Sequence, residues 1–129
     1  MSVAAEMADH PQPNPAHEAL GLAVKHALYC SGIATSCADA CLAEPMDMTT
    51  CIRRCLDCAD ICAATARIVA RQTATEREVL AAALSACIVI CEATEAECAR
   101  HDNPHCRRCA QMCMECARDC RAARDAVLG

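Results

Sequence analysis

Two stretches of the chain, CIRRCLDCADIC at 51–62 and CRRCAQMCMECARDC at 106–120, place cysteine at alternating steps of three and four residues. On an α-helix, Cys51, Cys55, Cys58 and Cys62 then fall within roughly 60° of one another. Cys106, Cys109, Cys113, Cys116 and Cys120 fall within roughly 80°. Two more stretches carry the same series with one member missing. They are Cys87, Cys91 and Cys98, with Thr94 in the gap, and Cys30, Cys37 and Cys41, with Ala34 or Ile33 in the gap. Charges such as Arg53, Asp57, Asp60, Arg108, Glu115 and Asp119 lie mostly off these stripes. The chain must therefore bury four thiol-lined helix faces against one another.

Chain breakers mark the helix ends. Only 3 Gly and 5 Pro occur in 129 residues, so most of the chain reads as helix. Residues 1–15 hold Pro11, Pro13 and Pro15 and read as a flexible N-terminal tail. Met7 and His10 in that tail are candidate metal contacts, against the simpler reading of a solvated segment. A first helix is expected from Ala16 to about Glu44, followed by a connector through Met48. Thr49 or Asp47 can cap a second helix that runs to about Gln72. Thr75 and Glu78 resemble a capping box for a third, from about Glu76 to Arg100. The fourth runs from Pro104 to about Val127. Connectors this short force antiparallel neighbours. The expected fold is all-α, an up-down-up-down antiparallel four-helix bundle with a cysteine-lined core over residues 16–129.

Cysteine can act as a small core hydrophobe, but 15 of them need another reason, since Leu, Val and Ala fill a core without the oxidation hazard. Neighbours at i+3 or i+4 have Cβ atoms roughly 5–6 Å apart. That is too far for a disulfide, which wants about 3.8 Å, and suits two thiolates flanking one metal ion. The odd count also argues against a disulfide framework. The N-terminus shows no basic and apolar leader, and no run of about 18 apolar residues is present to span a membrane. The expected location is cytoplasmic, where thiols stay reduced.

Softness restricts the metal to Cu(I), zinc or iron–sulfur. Zinc takes about four ligands in a closed tetrahedron, and iron–sulfur ligands usually sit in loops. Cu(I) accepts two or three sulfurs, so a continuous ladder suits it. Buried thiolates also need their charge compensated, and monovalent Cu(I) does so at about one ion per thiolate, on the order of 15 ions per chain. Before loading, burial should raise the thiol pKa values, so uptake should release protons.

The two ends of such a bundle differ. The first and third connectors fall at one end and bring Met46, Met48, His101 and His105 there, a candidate mouth for Cu(I). Toward the other end the stripes continue through Thr65, Val69, Leu80, Leu84, Ala123, Val127, Ala19, Leu22 and Ala23, an expected apolar plug. His26, four residues before Cys30, reads either as an innermost ligand or as a hydrogen-bonded core histidine.

Tyr29 is the only aromatic residue and the net charge is −5, which argues against nucleic acid as a partner. No acid–base constellation beside a cleft appears, so no enzyme is expected. Copper storage or buffering is the favoured function, and zinc or mixed soft-metal sequestration is the alternative. The two fully spaced runs resemble those of the bacterial cysteine-rich four-helix-bundle copper storage proteins, cytosolic branch, over nearly the whole chain after residue 15. The resemblance implies reversible storage of many Cu(I) ions in a homotetramer of bundles. It also implies histidines near an open end, here His101 and His105. A copper chaperone or acceptor protein would be a natural partner. The gaps at Ala34 and Thr94 imply fewer thiols than the most cysteine-rich members carry.

Overall fold

The computed structural model describes all 129 residues. Five helices form: α1 (Val3–Ala8), α2 (His17–Leu42), α3 (Thr49–Ala70), α4 (Arg77–Cys98) and α5 (Pro104–Leu128). Helices α2 to α5 have 26, 22, 22 and 25 residues, so each is about 33–39 Å long at 1.5 Å per residue. They close a ring in which α2 packs on α3 and α5, and α4 on α3 and α5. This is the expected antiparallel four-helix bundle.

The helix ends follow local chemistry. Asp47 Oδ1 accepts from the Thr49 backbone N–H at 3.0 Å and from its hydroxyl at 2.6 Å, which starts α3. Pro104 occupies the first turn of α5, where no intrahelical donor is needed. The capping box expected at Thr75 does not form: α4 begins after Glu76, without a side-chain cap. The chain reverses there through Ala74, whose φ of 53° lies in the left-handed region.

All 15 cysteines are buried and none is in a disulfide. They share the core with small residues, Ala27, Ala34, Ala38, Ala59, Ala66 and Ala117, which let the helices approach closely. At the end near residues 70–77 the core turns to Leu20, Val24, Val69, Leu80, Leu84 and Ala123. Fully burying one such leucine stabilises the fold by roughly 2 kcal/mol. The plug differs in one member from its expected set: Leu22 is 47% exposed, and Leu20 and Val24 take the inward positions.

The first 15 residues depart from the tail expected of them. Ser2 caps α1, its Oγ accepting from Ala5 N–H at 3.2 Å. Met7 is buried, and the prolines follow the helix rather than interrupting it. Gly21 makes the seat, because a Cβ there would lie 3.1 Å from the Ala4 Cβ. Gln72 then ties the segment down, donating to Met7 O at 2.9 Å and accepting from Asn14 N–H at 2.8 Å. His10 Nε2 lies 3.0 Å from Thr73 Oγ1. An apolar residue with a notch to enter, and a backbone with partners, outweigh the proline signal that suggested a loose segment.

Helix α4 is long and apolar enough to cross a membrane by length and composition alone. An uninterrupted apolar count does not reach this length, because Ser85, Glu92 and Thr94 break the run. Its inner face carries Leu80, Leu84, Cys87, Ile88, Cys91, Thr94 and Cys98 and is buried in the bundle.

Candidate metal centre

Each helix delivers its thiols to the bundle axis because its stripe is the face the bundle buries. Four groups of donors converge so that all ligand atoms in a group lie within 4.8 Å of one another. From the mouth inward they are Cys37, Cys41, His105 and Cys106; then Cys37, Cys55, Cys98 and Cys109; then Cys30, Cys58, Cys62 and Cys91; then Cys62, Cys87, Cys91 and Cys116. Cys37, Cys62 and Cys91 each belong to two groups. Shared ligands make a ladder rather than separate closed tetrahedra, which disfavours zinc.

The remaining thiols join through close contacts. Cys51 Sγ lies 3.6 Å from Cys98 and 3.8 Å from Cys41. Cys113 lies 3.8 Å from Cys30 and 3.9 Å from Cys58, and Cys120 lies 4.0 Å from Cys116. Cys58 is the hub, within 4.0 Å of Cys30, Cys62, Cys91 and Cys113.

These contacts fall into two sets. The outer set, nearer the mouth, comprises Cys37, Cys41, Cys51, Cys55, Cys98, Cys106 and Cys109 with His105. The inner set comprises Cys30, Cys58, Cys62, Cys87, Cys91, Cys113, Cys116 and Cys120. Between them sit the two gaps of the sequence pattern. Ala34 and Thr94 are both fully buried, and the Thr94 hydroxyl is turned to the carbonyls of Ile90 (2.7 Å) and Arg54 (3.2 Å). Cys109 and Cys113, one turn apart on α5, are the step across.

The thiols do not titrate alike. Burial pushes Cys41 up, and pushes Cys106 up to about 12. Cys37 is pulled down, first by hydrogen bonding from Cys109, then Cys55 and Cys98, against burial. Cys58 is pulled down to about 5, chiefly by hydrogen bonding from Cys113. The expectation that burial raises every thiol is thus corrected at Cys30, Cys37, Cys58 and Cys87, where neighbouring S–H donors outweigh it.

The four mouth candidates separate. His105 reaches the thiols, its Nδ1 3.3 Å from Cys37 Sγ and 3.6 Å from Cys106 Sγ. Contact with Cys37, and then Glu44, raises its pKa. Met48 is buried just ahead of α3. His101 does not join a thiol group; its Nε2 lies 2.9 Å from Glu97 Oε2, beside a surface cavity of about 320 Å³ lined by Asp102, Arg107 and Met114 among others. Its helix ends at Cys98, so the imidazole leaves the stripe. Met46 is 51% exposed in the connector. At the inner level His26 is held by Leu22 O at 3.0 Å and Asp119 Oδ2 at 2.5 Å from its Nδ1. That arrangement matches the hydrogen-bonded alternative.

Sequence reasoning missed Glu44 and Asn103. Glu44 Oε2 lies 3.0 Å from His105 Nε2, and Asn103 Nδ2 donates to the same oxygen. Their only signal in the sequence is position, in connectors that meet at one end.

A helical bundle whose axis is a ladder of reduced thiols defines a protein that holds many soft metal ions. The family of copper storage proteins matches residues 16–125, and the chain belongs to that family. The copper storage protein Ccsp of Streptomyces lividans, in a structure loaded with 10 copper equivalents, is 38% identical with a TM-score of 0.92, over 96% of this chain and 98% of that one. A structure of copper loading to a cytosolic copper storage protein of the same organism, with five coppers, is 43% identical with a TM-score of 0.82, covering 84% and 93%. An uncharacterised cysteine-rich protein, YhjQ of Bacillus subtilis, is 34% identical over 101 residues, 77% of this chain and 90% of its own length.

Proposed function

We propose that this protein stores and buffers Cu(I) in the cytoplasm, without catalytic turnover. One observation carries the reading: fifteen buried, reduced thiols from four helices form a continuous ladder that a histidine opens at one end. Each Cu(I) replaces a thiol proton, which leaves to solvent, and the resulting pair is neutral. Charge balance therefore sets a capacity on the order of 15 ions per chain. The ligands are Cys30, Cys37, Cys41, Cys51, Cys55, Cys58, Cys62, Cys87, Cys91, Cys98, Cys106, Cys109, Cys113, Cys116 and Cys120, with His105 at the mouth. Met48 closes the mouth from the α3 side, and His101 and Met46, outside the thiol groups, act at most as transient outer contacts. A copper chaperone or acceptor protein would exchange ions at this end.

The bundle is proposed to assemble as a homotetramer. Support comes from the outer face of α4, where Val79 (50% exposed), Ala82, Ala86 and Val89 (67% exposed) follow a helical spacing with no charge between Glu78 and Glu92. Such a face is unusual on a solvated helix.

The test is an anaerobic Cu(I) titration of reduced protein against a chromophoric chelator, read with native mass spectrometry. Uptake of roughly ten or more ions per chain, with helicity kept, is expected. Uptake of about one to four ions, with zinc preferred in competition, would mean discrete tetrahedral sites and overturn the reading.

A further inference from the structure

The geometry points to Glu44 as a positioning residue that, anchored by Asn103, aims the Nδ1 lone pair of His105 at the mouth thiols. The inference rests on the copper-storage reading and assigns a role to a residue outside the thiol ladder.

An imidazole has two nitrogens, and in its neutral form only one accepts a metal. His105 sits at the start of α5 with Nδ1 toward Cys37 and Cys106, at 3.3 and 3.6 Å. Its other nitrogen faces the Glu44 carboxylate at 3.0 Å. A carboxylate only accepts, so in the neutral ring this contact places the proton on Nε2 and leaves the Nδ1 lone pair facing the thiols. It also fixes the ring against rotation, since a half-turn would bring Cδ2 to the thiols and Cε1 to the carboxylate, and neither carbon can replace the nitrogen it displaces. Metal-binding histidines commonly donate their second N–H to a carboxylate in this way.

Glu44 is itself held. It follows α2, its backbone N–H donating to Cys41 O at 3.2 Å. Asn103, which precedes α5, donates its side-chain N–H to the carboxylate oxygen that also faces His105. The carboxylate thus links two connectors distant in sequence, and both are partly buried. Glu44 is the hydrogen-bond partner of His105 Nε2, and no second one reaches that atom.

The test uses the full-length reduced protein and the variants Glu44→Ala, Glu44→Gln and Asn103→Ala. The first readout is the 15N spectrum of His105 in metal-free protein, at a pH where the ring is neutral. Wild type is expected to show the proton on Nε2 and a single ring orientation. Glu44→Ala is expected to show averaged signals, and its uptake of the first Cu(I) equivalents from a chelator is expected to slow by roughly tenfold. Total capacity should stay unchanged, because no thiol is lost. Glu44→Gln is expected to restore both readouts, since one amide oxygen can accept from His105 and Asn103 together. Asn103→Ala should fall between, and keeps the test open if Glu44→Ala fails to fold.

Unchanged His105 signals in Glu44→Ala would overturn the proposal. Equal impairment of Glu44→Gln and Glu44→Ala would also overturn it, because the carboxylate would then act by charge. If wild type takes up no copper, the storage reading falls while the His105 spectrum still decides the positioning role.

Discussion

Thr94→Cys fills one of the two gaps in the thiol ladder, at the boundary between the outer and inner sets. Thr94 is fully buried on the α4 stripe, midway between Cys91 and Cys98. The side chains are close in size, so the substitution leaves no large cavity. It removes a hydroxyl that donates to Ile90 O and Arg54 O. Both carbonyls lie inside helices and keep backbone partners, so the loss should cost about 1 kcal/mol. At about 2.1 cal/mol/K per residue over this chain, that lowers the apo melting temperature by roughly 4 °C. In return the ladder gains a sixteenth thiol at its break. Capacity should rise by about one Cu(I) per chain, following one charge per thiolate. Loading, followed by thiolate-to-copper absorption in an anaerobic titration, should show less distinction between early and late equivalents, because the two sets are then joined on α4 as well as through Cys109 and Cys113 on α5. Ala34→Cys, also fully buried, should add a second ion. Unchanged capacity in Thr94→Cys, with the new thiol shown to be reduced, would refute the idea that thiol count along the axis sets storage.

Other outcomes follow from the same geometry. His105→Ala should slow uptake of the first copper equivalents measured by stopped flow, whereas His101→Ala, which removes a partner of Glu97 rather than a thiol neighbour, should change it little. Alkaline pH should destabilise the metal-free bundle. Cys106 is raised to about 12 from an ordinary value of 9.0, so the folded state binds the extra proton, and its contribution is full below 9 and lost as pH rises toward 12. Chemical denaturation between pH 8 and 11 checks the sign, and the copper-loaded protein, with no thiol proton to lose, should lack this slope. Removing residues 1–14 exposes the seat of Met7 and leaves Gln72 without two partners; a loss of roughly 2–3 kcal/mol in apo stability by denaturant unfolding is expected, with copper capacity kept.

The helical faces were legible in the chain because cysteine recurs at steps of three and four, and a helix turns that spacing into one stripe. Four such stripes joined by short connectors leave an antiparallel bundle with a thiol axis as the natural arrangement. The soft-metal chemistry followed from the same residues, and so did the gaps at Ala34 and Thr94. Periodicity does not report what happens where helices stop. In the sequence His101, three residues after Cys98 and on the same stripe, reads as a better ligand than His105, one residue before Cys106 at the stripe edge. Only the fold decides that α4 ends at Cys98 and releases His101 toward Glu97, while α5 starts early enough to turn His105 inward. Glu44 and Asn103 meet His105 because two connectors far apart in the chain share one end of the bundle. The seat of α1 depends on a missing Cβ at Gly21 and on the partners of Gln72, contacts set by distances in space. The splitting of thiol pKa values is tertiary too, since Cys37 is pulled down by thiols from the three other bundle helices, and Cys58 by Cys113 and Cys91 across the bundle as well as Cys62 on its own helix. Local spacing determined which faces are buried, and packing decided which side chains meet there, because those encounters depend on the rotation and ending of each helix relative to the others.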